Sequence, residues 1–142
     1  MSTTVDAAAG VGGLASRYAE DHWFALEAAG NGSTTTVTAR AVLSGLRQTW
    51  EASLAAREVE LRLEMAPPPS DFSAGAVGGD RIRLVAAAGG RDVVLTELDG
   101  RYWTFEVATS FTGRVVGIYA VDGTVTFRDF RYHGDDTQET QP

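Results

Sequence analysis

The chain has 142 residues, 44% of them hydrophobic and 22% charged, with a net charge of −7 and no cysteine. That is the profile of one ordinary globular domain, long enough to bury a core. It excludes disulfides, thiolate chemistry and a bilayer-spanning apolar run, and an acidic chain with no basic cluster argues against nucleic acid and anionic membrane as partners.

The opening "MSTTVDAAAGVGG" has no basic n-region and no long apolar core, so no secretory signal is read and a cytoplasmic location is expected. Residues 1–12 read as a flexible leader, and "GVGG" (Gly10–Gly13) lacks the Lys-Ser/Thr ending of a phosphate loop. All twelve bases are arginine. With abundant alanine and glycine, that points to a GC-rich bacterial genome rather than to a function.

From residue 13 to 134 the chain breaks into short β-rich runs separated by turn signals. Strands are expected at Gly13–Tyr18, His22–Ala28 and Thr35–Leu43, with an Asn-Gly hairpin turn at Gly30–Ser33. Leu46, Trp50 and Leu54 suit a helix or one face of a strand. The strand is favoured, turning near Ala55–Arg57. "EVELRLEM" (Glu58–Met65) alternates cleanly, with Val59, Leu61, Leu63 and Met65 on the core face. Pro67, Pro68 and Pro69 end that strand and open a surface loop over Ala66–Gly79. Further strands are expected at Asp80–Ala87, Asp92–Leu98, Tyr102–Val107, Gly113–Ala120 and Thr124–Tyr132, with an Asp-Gly hairpin turn at Val121–Thr124. Residues 135–142 form a polar, disordered tail. The fold class is therefore all-β, an antiparallel two-sheet β-sandwich.

Chemistry is sparse. There is no G-x-S-x-G, and His22 and His133 fit no triad or metal-ligand spacing. No cofactor is expected. "HGDD" (His133–Asp136) offers oxygens to Ca²⁺ but lacks the spaced ligands of a dedicated loop. Asn31-Gly32-Ser33 matches a glycosylation sequon, which the hairpin turn explains without a secretory context. Glu97, Asp99, Glu106, Asp122 and Asp129 are candidates for a glycosidase carboxylate pair, although acids are common on solvated strand faces. Aromatic rings can stack on sugars. Tyr102 and Trp103, adjacent on an expected strand, would point to opposite faces and form the best local candidate for carbohydrate contact.

The stretch "ELDGRYWTFEVATSFTGRVVGIYAVDGTVTFRDFRYHG" (Glu97–Gly134) resembles the end of the concanavalin A-like sandwich attached to family 43 glycoside hydrolases, chiefly β-xylosidases and α-arabinofuranosidases. "DGRY", "EVATSFTGRVVGIYA" and "FRDFRY" carry the likeness. "GLASRYAEDHWFALEA" and "EVELRLEM" extend it, so that it covers about Gly12 to Gly134. The resemblance implies a jelly roll that packs against a catalytic propeller and sends a loop to the rim of the sugar pocket. Thr109 and Ser110 are that loop's contact positions, with Ser110 standing where the family can place an aromatic ring. It also implies that the family's first strands are missing here, leaving an exposed sheet edge through which the chain could homo-oligomerise.

The expected function is a non-catalytic accessory sandwich, with a glycoside hydrolase catalytic domain or carbohydrate as partner. The alternatives are an independent carbohydrate-binding module and, last, a glycosidase using an acid pair. Within Ser110–Ala120, both faces of the strand are apolar. That predicts an inner strand packed on both sides, with Gly117 admitting a close neighbour.

Overall fold

A computed structural model describes residues 1–67, 80–108 and 112–134. Among the described residues eight antiparallel strands are formed: β1 Ser2–Ala19, β2 His22–Gly30, β3 Thr35–Leu43, β4 Leu46–Leu54, β5 Glu58–Ala66, β6 Arg81–Ala88, β7 Arg91–Asp99 and β8 Val115–Arg131. A 3₁₀ turn (Gly100–Trp103) and one turn of helix, α1 (Phe105–Ala108), lie between β7 and β8. No helix among the described residues is long and apolar enough to cross a membrane.

The architecture is organised by one strand. β1 pairs with β8 from Ser2 to Arg17, which occupies one of its edges. The other edge is divided, with residues 2–6 pairing β5 and residues 11–19 pairing β2. One wing is therefore β4-β3-β2-β1-β8 and the other β8-β1-β5-β6-β7, with the β1–β8 ribbon common to both. Between the wings lies the core: Leu14, Phe24, Leu26, Val37, Ala39 and Leu54 from one, Val5, Val59, Leu61, Leu63, Ile82 and Leu84 from the other. Each of the larger side chains contributes about 1.5–3 kcal/mol by leaving water. This is an all-β antiparallel sandwich that approaches a barrel.

To serve two sheets the ribbon must bend, and its register slips between Asp6 and Ala9 and between Val11 and Gly12. Gly10 pairs with Gly123 at the bend. Gly123 is left-handed (φ 62°), and a Cβ on Gly10 would stand 2.5 Å from the Asp122 carbonyl. Bulges of this kind increase local twist and turn a strand between sheets.

The elements expected at Thr35–Leu43, Leu46–Leu54 and around Glu58–Met65 are present, as are the turn at Ala55–Arg57 and the hairpin at Gly30–Ser33. There the Asn31 side chain accepts from Thr34 N at 3.0 Å, while Gly32 takes φ 97°. Four expectations are corrected. Residues 2–12 are not a leader but the first half of β1, held by β5 and β8. Val121–Thr124 is no hairpin turn: Asp122-Gly123 bends a continuous β8 while β1 follows alongside. Tyr102–Val107 is a 3₁₀ turn and α1 rather than a strand, because the Asp99 side chain caps the turn by accepting from Arg101 N at 3.0 Å. The strand in Ser110–Ala120 is not an inner one, as shown below. Of the loop expected over Ala66–Gly79, Ala66 closes β5 and residues 68–79 lie outside the described residues, as does the tail expected at 135–142.

The bend yields a test. Gly123→Ala should cost about 1–3 kcal/mol, read as a lower denaturant midpoint with an unchanged m-value. Its left-handed φ and the Ala9 carbonyl beside it both oppose a Cβ.

Candidate functional site

The segment "DGRYW" (Asp99–Trp103) carries the first cluster. The Gly100 amide donates to the Asp80 carbonyl at 2.7 Å, closing the turn onto the start of β6. Trp103 is only 4% exposed. Its Nε1 donates to the Val42 carbonyl at 3.2 Å, and its ring meets Phe24 edge to face at 5.3 Å. The indole is thus a core plug with no face left for a sugar, which corrects the expectation of ligand contact at Trp103. Tyr102 is 49% exposed and stands edge-on to Trp103 at 6.5 Å. Thr109 and Ser110 lie outside the described residues.

Arg114, just ahead of β8, locks this cluster. Its Nη1 and Nη2 donate to the two oxygens of Asp80 at 2.6 and 3.2 Å, Nε donates to the Trp103 carbonyl at 3.0 Å, and Nη2 to that of Gly100 at 2.9 Å. A planar fork fits this set of acceptors; an ammonium does not.

β8 itself is unexpected. Among the described residues it pairs only with β1, so its outer edge is open. Ile118 sits opposite the buried Leu14 and hence on the core-facing side, yet it is 46% exposed. Val115, Val121, Phe130 and Tyr132 are exposed as well. The two-sided apolar pattern of Ser110–Ala120 therefore belongs to an edge strand at the mouth of the sandwich. Alternation reports that both faces avoid water but not what covers them. Tyr102, Phe105 and Val107 add exposed apolar surface on the 3₁₀ turn and α1.

Catalytic arrangements find little support. Glu97 pairs with Arg81 at 3.2 Å. The Arg101 guanidinium and amide hold the Asp99 carboxyl below the usual range. Glu106 sits in the first turn of α1, where backbone and Thr104 hydrogen bonds lower its pKa. Asp122 is exposed on β8. Asp129, left-handed at φ 52°, shares a cavity of about 120 Å³ with Ser2, Thr4, Glu60 and Arg131. That volume falls below the range of small-molecule sites, about 300–1,000 Å³. His22 is buried, its Nδ1 2.8 Å from an Asp21 oxygen, while its Nε2 and the buried Ser16 hydroxyl have no hydrogen-bond partner among the described residues. Sealed from solvent, these groups cannot meet a substrate. Among the described residues no group of three or more His, Asp or Glu side chains could hold a metal.

One half-buried polar chain lies on the outer face of the β2 wing. Tyr119 Oη donates to Glu27 at 3.1 Å, and Arg40 donates to the other Glu27 oxygen at 3.0 Å. Burial, then the Glu27 charge, push the Tyr119 phenol far above its ordinary pKa. Sequence reasoning passed over Tyr119 because it lies inside an apolar run.

The comparisons with known proteins agree with this geometry. The family model of the β-xylosidase C-terminal concanavalin A-like domain matches residues 1–133. The chain belongs to that family, and the match begins ahead of Gly12, over residues the sequence reading had set aside as a leader. Similar solved structures include the Xyloglucan PUL GH43B of Bacteroides ovatus (TM-score 0.66, 19% identity, 91% of this chain and 27% of that one). Others are the GH43 protein BlXynB of Bacillus licheniformis (0.64, 14%, 89% and 25%) and a GH43_12 protein from capybara gut metagenome (0.62, 16%, 84% and 22%). The chain thus spans about a quarter of the length of these structures. No curated protein matches it. The domain corresponds to a C-terminal module of β-xylosidases.

Two measurements probe the site. Arg114→Lys should lower stability by about 1.5–3 kcal/mol in chemical denaturation, since carbonyls at Gly100 and Trp103 lose their donor. For Tyr119, a raised folded pKa means stability is intact below the unfolded value, about 10, and is lost as pH rises beyond it. Melting temperature should fall steeply in that alkaline range and less steeply in Tyr119→Phe, and tyrosinate absorbance should show one late-titrating ring that the variant lacks.

Proposed function

We propose that this chain is the accessory sandwich of a larger family 43 glycoside hydrolase and acts by packing against that enzyme's catalytic domain. The observation that carries the reading is β8, an edge strand whose outer side pairs with no strand among the described residues and whose core-facing Ile118 is half exposed. Long apolar edges are aggregation hazards unless something covers them. Phe105 and Val107 on α1 are exposed apolar residues as well, and in sequence they precede Thr109 and Ser110, which the family resemblance implies for the rim of a sugar pocket. The relatives whose names mark them as GH43 proteins are about four times longer, which leaves room for a catalytic part.

Titration of the purified chain with a family 43 catalytic domain, followed by calorimetry and sedimentation, tests the reading. Association is expected, and Ile118→Glu and Phe105→Glu should each weaken it about tenfold or more while leaving the melting transition cooperative. Absence of association, or association indifferent to both substitutions, would overturn it. So would turnover of an aryl xyloside by this chain alone.

A further inference from the structure

Among the described residues three strands stand at sheet edges: β4 and β7 at the ends of the wings, and β8 outside β1. β4 carries Arg47 and Glu51, and β7 carries Arg91, Asp92, Glu97 and Asp99. Charges of that kind deter pairing with another chain. β8 has none from Val115 to Val121. Over Val115–Ala120 it is also regular, its residues pairing in turn with Arg17 to Gly12 of β1. The regular run ends at Val121, which falls in the register slip between Val11 and Gly12.

The sequence of this edge is complementary to itself. Residues directly opposite in an antiparallel pair share a face. A two-fold axis at Ile118 sets that residue against Ile118 of a second copy, Val116 against Ala120, Gly117 against Tyr119 and Val115 against Val121. The apolar side chains that β8 exposes here are Val115, Ile118 and Val121, and each then meets an apolar partner. Arg114 at one end of the run lies beside Asp122 of the second copy, so unlike charges bracket it at both ends. Arg114 already holds Asp80, and its effect is on the direction of pairing more than its strength.

Other registers lose this match. Sliding the copies by two residues sets Arg114 against Ala120 in one direction and Val116 against Asp122 in the other. A slide by one residue turns core-facing positions against outward ones. Burial favours the same centre. Ile118 lies opposite the buried Leu14, so a second Ile118 beside it continues the core across the mouth of both sandwiches. Tyr119 is drawn inward to Glu27 and leaves the edge accessible. Because such an interface is isologous, each copy covers the other's edge and growth stops at two.

We infer that two copies of this chain pair antiparallel along Val115–Val121 of β8, about a two-fold axis at Ile118, when no catalytic domain covers that edge. The inference does not rest on docking to a catalytic domain. Both occupants use β8, and each excludes the other.

Sedimentation of the purified chain from micromolar to millimolar concentration should show a monomer–dimer equilibrium and no larger species. Ile118→Glu and Ile118→Lys each place like charges face to face at the axis and should weaken dimerisation about tenfold or more. Mixed in equal amounts, the two variants should recover it, since Glu then faces Lys. The chain has no cysteine, so oxidised Ile118→Cys should cross-link the dimer. Cα atoms directly opposite lie about 4.5–5.5 Å apart, within disulfide reach. Val116→Cys should not cross-link, because the two positions 116 stand about 13 Å apart along the strands. A chain that stays monomeric at millimolar concentration overturns the inference. So does a Glu and Lys mixture that stays monomeric, or cross-linking at 116 equal to that at 118. An added catalytic domain that binds β8 should split the dimer into one-to-one complexes, and one that binds there with the dimer intact overturns the assignment of this edge to the second copy.

Discussion

Pairing of β1 with β8 is the constraint on which the rest of the molecule depends. β1 has two edges, and β8 takes one of them nearly end to end. The other must then be shared between β2 and β5, which start the two wings. β8, as the outer partner of that ribbon, is left at an edge by topology alone. Edge strands usually carry charges or bulges that deter pairing. The half of β8 beyond the bend has them: Arg128, Asp129 and Arg131, with a register slip opposite Ser2 and Thr4. The half before it has no charged residue between Arg114 and Asp122. Protection is thus missing over the same residues that expose Val115, Ile118 and Val121.

Arg114 ties this exposed half to the closed end of the sandwich. Its guanidinium holds Asp80 and the carbonyls of Gly100 and Trp103, and Trp103 in turn packs on Phe24 of β2. The entry to β8, the start of β6 and the 3₁₀ turn therefore move as one unit. Phe105 and Val107, immediately beyond that turn, are presented from a fixed base, although α1 is a single turn with little stability of its own. A contact surface spread over the turn and the strand is thereby preorganised, which lowers the entropic cost of association.

Much of the fold was legible because most strands have one wet and one dry face. Glu58–Ala66 alternates so regularly that its buried residues, Val59, Leu61 and Leu63, could be named from the sequence. Legibility failed where a local signal had two structural outlets. Asp122-Gly123 suits a hairpin turn, but the same left-handed glycine also bends a strand. "DAAAGVGG" lacks large side chains, so it reads as a leader. In the fold its small residues admit β8, β5 and β2 at close range. Tyr102-Trp103 looks extended until Asp99 is seen capping a turn. The candidate surfaces were harder still. An apolar edge and an apolar core strand have the same periodicity, and Tyr119 meets Glu27, 92 positions away in sequence, only through the β1 register.

The charge pattern indicates what kind of recognition remains open to such a domain. On the outer face of the β5 wing, Arg62 engages Glu64 and Asp92, Arg83 engages Glu64, and Arg81 engages Glu97. On the outer face of the β2 wing Arg17 pairs with Glu20 and Arg40 with Glu27. Exposed pairs of this kind add little stability each, but they leave the sheet faces without a strong local field. Steering of a charged partner is therefore not available to these faces. Recognition has to come from shape and apolar contact, and in this structure those properties concentrate at the half of β8 before the bend, whose outer edge pairs with no described strand, and at the adjoining turn. Such an edge has the same apolar periodicity as a core strand, which is why reading it as buried core was the natural error.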